Sequence, residues 1–150
     1  MVCEDRCKRL ENTLLKHGFI KVREYLVDEG MYGAEESYEL EGVVVDIFYT
    51  KKSKEHFSAL TFYAEDGLSM NKTISMLGGL KVKEFYFTPY ELMEVEFKGS
   101  RIFVPKDMDL YLSEYYGPNF LVPDPSWVTG MAGNCKELHS KIGVQTLFIK

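Results

Sequence analysis

The run Glu41-Gly42-Val43-Val44-Val45-Asp46-Ile47-Phe48-Tyr49 constrains this chain more than any other stretch. Val, Ile, Phe and Tyr favour extended backbone, and both alternating sets, Val43/Val45/Ile47/Tyr49 and Gly42/Val44/Phe48, are largely apolar. The pattern therefore predicts a strand covered on both faces. Asp46 interrupts it. An ionised carboxylate among apolar neighbours is costly unless it is paired, hydrogen-bonded or bound to a cation. Two readings follow. Asp46 is a functional carboxylate on a central strand, facing a cleft, or it lies near the strand end, solvated or paired with a lysine of Lys51-Lys52-Ser53-Lys54.

A chain of 150 residues suits one domain with a core of its own. The formal charge of −5 gives no general attraction to phosphate backbones, and no RNP-like or zinc-finger motif supplies a local one. The start, Met1-Val2-Cys3-Glu4-Asp5-Arg6, lacks the apolar centre of a signal peptide. No run approaches the roughly 18 apolar residues of a membrane span. The expected location is cytoplasmic. An odd number of cysteines, Cys3, Cys7 and Cys135, fits a reducing compartment. Cys3, Cys7, Cys135 and His139 form a possible zinc quartet, but Cys3, Cys7, Leu10 and Leu14 also make one stripe at helical spacing.

Along the chain, residues 4–17 predict a helix stopped at Gly18, and 19–27 a strand. Gly30-Met31-Tyr32-Gly33 is a turn, and Glu35 to Tyr49 reads as one long strand or a hairpin arm. Residues 51–56 form a basic loop, 58–66 an extended segment, and 70–83 an ambiguous one broken at Gly78-Gly79. Residues 83–88 suggest a strand. Residues 91–104 predict a hairpin around Lys98-Gly99-Ser100, and the stretch from Pro105 to Gly117-Pro118 a helix. From about residue 123 a Pro- and Gly-rich tail begins, with Trp127 as its anchor. There is no nucleophile elbow, Walker A sequence, H-E-x-x-H pair or dinucleotide fingerprint. His17, His56 and His139 have no adjacent nucleophile in a catalytic pattern.

The order Gly42-Val43-Val44-Val45-Asp46-Ile47-Phe48, Phe87-Thr88-Pro89, a hairpin through Phe97-Lys98-Gly99, Val104-Pro105 and Tyr111-Leu112-Ser113-Glu114-Tyr115-Tyr116-Gly117-Pro118 resembles the LicD and fukutin-related family over roughly residues 4–127. The resemblance implies an α+β fold, a mixed β-sheet flanked by helices, nucleotidyltransferase-like and truncated at the N-terminus, where that family carries an acidic metal motif. It implies transfer of phosphocholine or a polyol phosphate from a nucleotide-linked donor to a cell-surface glycan acceptor. Asp46 would be the catalytic metal ligand for Mg²⁺ or Mn²⁺, and Lys51, Lys52, Lys54 and His56 would meet phosphates. The alternative it implies is a catalytically incomplete relative that binds a glycan or nucleotide, or docks onto a partner subunit supplying the missing carboxylates. For the four basic positions a solvated loop is the competing reading.

Overall fold

Two Xaa-Gly turns decide much of the strand pairing. The computed structural model of the protein describes residues 8–128 and 131–148. In chain order its elements are α1 (Lys8–Lys16), β1 (Ile20–Val27), β2 (Gly33–Leu40), β3 (Val43–Phe48), β4 (Lys51–Lys52), β5 (Phe57–Tyr63) and α2 (Met70–Leu77). They continue with β6 (Leu80–Phe87), β7 (Leu92–Phe97), β8 (Ser100–Pro105), α3 (Met108–Tyr116) and β9 (Cys135–Leu147). Glu41 (φ 51°) and Gly42 (φ 83°) both take left-handed backbone, as do Lys98 (φ 50°) and Gly99 (φ 76°). That pair of conformations makes a two-residue type I′ turn, whose twist matches that of antiparallel strands. The segment from Glu35 to Tyr49 is thus a hairpin, β2 turning into β3 with Leu40 opposite Val43 and Ser37 opposite Asp46. Likewise β7 pairs with β8, Phe97 opposite Ser100.

The strands other than β7 and β8 form one sheet in the order β3-β2-β1-β9-β6-β5-β4. This corrects the expectation of a nucleotidyltransferase-like mixed sheet flanked by helices. The sheet is antiparallel, and strand outweighs helix, 46% to 22%. The physical reason lies in the connections. Tight turns place successive strands side by side in opposite senses, whereas parallel neighbours need long crossovers. Helices α2 and α3, of eight and nine residues, are too short to cover the faces of such a sheet.

The chain divides into two compact units, Met1–Thr50 with Ala59–Glu84 and Glu137–Lys150, and Lys51–Ser58 with Phe85–Lys136. The first is built on Tyr25, Val27, Leu60, Phe62, Leu80 and Val82, with Tyr32, Ile74 and Leu138 packed against them. Tyr25 stacks on Phe62 with ring centroids 4.8 Å apart. Ile74 comes from α2, which fills the stretch left ambiguous in sequence. Ser69 caps its start by accepting a hydrogen bond from the Lys72 N–H, and Gly78 ends it in left-handed backbone. The second unit packs Phe85, Phe87 and Ala132 with Tyr111, Tyr115 and Trp127. Its α3 is held from outside the helix: Glu114 accepts hydrogen bonds from the Thr88 N–H and hydroxyl.

Within the segment read as a tail, Cys135–Leu147 forms a 13-residue strand lying between β1 and β6. The predicted helix over 4–17 is seen as α1 from Lys8, and its residues 4–7 lie outside the described residues, as do Cys3 and Cys7 of the proposed zinc quartet. No helix among the described residues is long and apolar enough to cross a membrane.

Candidate functional site

Pairing across β1, β2 and β3 brings together side chains that sequence spacing keeps far apart. Arg23 on β1 faces Ser37 on β2, which in turn faces Asp46 on β3. The Ser37 hydroxyl donates to Asp46 Oδ1 at 2.6 Å, and Arg23 Nη2 reaches Ser37 Oγ at 2.9 Å and Asp46 Oδ1 at 3.4 Å. The neighbouring row carries Tyr25 and Glu35, so the Arg23 guanidinium also sits 5.2 Å over the Tyr25 ring. Glu35 is only 7% exposed. Burial pushes its carboxyl up to about 7, the Asp46 charge adds to the rise, and Arg23 opposes it. On the opposite face, Lys21 binds Glu24 and Glu36, each at 2.8 Å, and Glu36 also accepts hydrogen bonds from the Tyr38 and Tyr49 hydroxyls. Burial raises the Glu36 carboxyl, but those partners outweigh it and hold it below its ordinary value.

Asp46 therefore lies on an outermost strand, not on a central one facing a cleft, and its cation is Arg23 rather than a lysine of the following loop. The β3 strand is not covered on both faces. Val43, Val44 and Phe48 are 65%, 52% and 51% exposed, and among the described residues β2 is the one strand beside β3. Lys51 and Lys52 form the short β4, paired with Ser58 and Phe57, and the Lys52 ammonium sits 5.2 Å over the Phe57 ring. Lys54 is exposed in the turn closed by Ser53 and His56, and the His56 ring meets Tyr86 edge-on at 5.0 Å. Among the described residues no three His, Cys, Asp or Glu side chains converge as metal ligands, which corrects the metal-binding description drawn from the resemblance. Cys135 is a half-buried cysteine outside any disulfide among the described residues, and His139 lies 3.2 Å from Glu137.

Sequence reasoning found Asp46 but missed Arg23, Ser37 and Glu35. One signal was present. Between Met31 and Thr50 there are five carboxylates, Glu35, Glu36, Glu39, Glu41 and Asp46, and no Lys or Arg. A run so biased towards one sign signals that its members draw cations from elsewhere in the chain, and here Arg23 reaches Asp46 and Lys21 reaches Glu36.

No curated protein and no solved structure gives a significant match to the chain. The immunity protein 15 profile matches residues 12–102, well over half of the chain, and takes in the whole of β1, β2 and β3. That match overturns the LicD and fukutin-related resemblance, and with it the transfer of a phosphorylated group to a glycan. It equally overturns the alternative of a glycan-binding, nucleotide-binding or subunit-docking remnant of such an enzyme. The chain belongs to the immunity protein 15 family.

Proposed function

We propose that this chain neutralises a protein toxin by binding it directly and blocking its action. The observation that carries this reading is the immunity protein 15 match across residues 12–102. The structure offers a surface suited to such binding. The β2–β3 hairpin presents Glu41 and Asp46 at its surface with exposed valines beside them, and charge of one sign steers association while apolar area holds the complex. Binding in the cytoplasm accords with the expected location and would protect against a toxin that acts there. The experiment is growth of cells producing the toxin domain that this chain is proposed to neutralise, with and without the chain. Survival only when the chain is present supports the reading, and equal killing in both cultures refutes it.

A further inference from the structure

The two outer strands of the seven-stranded sheet are built differently. At one end β4 is two residues long and both are lysines, the short, charged form that keeps an open edge from pairing with other chains. At the other end β3 has six residues, of which five are apolar, with no proline or lysine and a regular register from Val43 through Phe48. Its single charge, Asp46, is engaged by Arg23 and Ser37. Apart from that engaged carboxylate, the strand itself carries none of the usual guards.

Turn geometry says which backbone groups it presents. In a two-residue type I′ hairpin the residues that flank the turn form a hydrogen-bonded pair, here Leu40 and Val43, and paired positions then alternate. Val43, Val45 and Ile47 direct their N–H and C=O groups inward to β2. Val44 and Asp46 direct theirs outward, and among the described residues no strand pairs with them. An extended segment laid beside β3 would satisfy these groups and cover Val43 and Val45 on one face and Val44 on the other.

Charge decides what that segment is. A second copy of this chain carries the same formal charge of −5 and the same acidic hairpin, so two copies repel one another. A strand bearing Lys or Arg meets the opposite condition. Building on the toxin-binding reading above, we propose that β3 is the docking edge and that the toxin contributes a cationic strand, added antiparallel or parallel beside Val43–Phe48.

Val44→Pro tests this, because it deletes an outward N–H that the native ladder does not use. Val44→Thr keeps that N–H and the β-branch, and Val44→Lys keeps the N–H while adding a charge that repels a cationic strand. Affinity for that purified toxin domain is read by calorimetry, with thermal melts to establish folding. The expected result is a loss of roughly tenfold or more for Val44→Pro and for Val44→Lys, with Val44→Thr close to the parent. If Val44→Pro does not fold, the comparison of Val44→Lys with Val44→Thr decides. Tight binding by all folded variants overturns the docking edge and leaves toxin neutralisation standing. Failure of the parent chain to bind overturns both. A dimer of the chain alone that Val44→Lys splits identifies a second copy as the occupant and also overturns the proposal.

Discussion

Replacing Glu35 with Gln should make the protein progressively more stable relative to the parent as pH rises from acid through neutral. The Glu35 carboxyl is held at about 7 in the folded protein by burial and by the neighbouring Asp46 charge, against an ordinary value of 4.5. Its folded value is raised, so between 4.5 and 7 the folded form holds a proton that the unfolded chain has released. Stability is therefore fully present below about 4.5 and falls as pH rises through 7. The gap, at 1.36 kcal/mol per pH unit, amounts to about 3 kcal/mol. Gln removes the charge while keeping shape, so the pH-dependent part of the cost disappears, whatever constant contribution the amide makes. The assay is chemical or thermal denaturation of both proteins across pH 4–8, where 1 kcal/mol corresponds to a Tm change of about 2–4 °C for a chain of this size. The stability difference should grow by about 3 kcal/mol from pH 4 to pH 8 in favour of Gln. A difference that stays constant with pH would show that Glu35 is ionised at its ordinary value and refute the reasoning.

Gly143→Ala should destabilise the protein by about 1–3 kcal/mol, since the added Cβ would lie 2.2 Å from Cδ1 of the buried Phe62 ring. In the same melts Gly133→Ala, which meets nothing within 4 Å, should leave stability nearly unchanged. Ser69→Ala should cost about 1 kcal/mol by removing the acceptor for the Lys72 N–H at the start of α2, and Ser69→Asp should restore it.

Local signals in the sequence were sound where the physics is local. The Val43–Tyr49 run is a strand from Val43 to Phe48, residues 91–104 fold as a hairpin, and α3 starts at an Asp cap close to Pro105. The Glu41-Gly42 turn was harder to read, because Asn or Asp more often precedes Gly in such turns. Helix α2 was hidden by Thr73 and Ser75, although Ser69 and Gly78 mark both of its ends. The long β9 was obscured by Lys136, His139 and Lys141, polar positions that its central place in the sheet does not betray. Non-local pairing was beyond reach: Arg23 meets Asp46 only because β1, β2 and β3 stack in register. The family resemblance failed for a related reason. A strand, a hairpin and a helix ending at Gly-Pro are parts that unrelated folds share, and their order alone does not identify a site.

Hydrogen exchange of the β3 amides, measured for the chain alone and in complex with its toxin domain, tests the central claim most directly. In the free protein the inward amides of Val45 and Ile47 should be protected by β2, while those of Val44 and Asp46 exchange freely. Toxin binding should slow Val44 and Asp46 by roughly tenfold or more and leave Val45 and Ile47 protected as before. A tight complex in which Val44 and Asp46 exchange as fast as in the free chain would contradict the account.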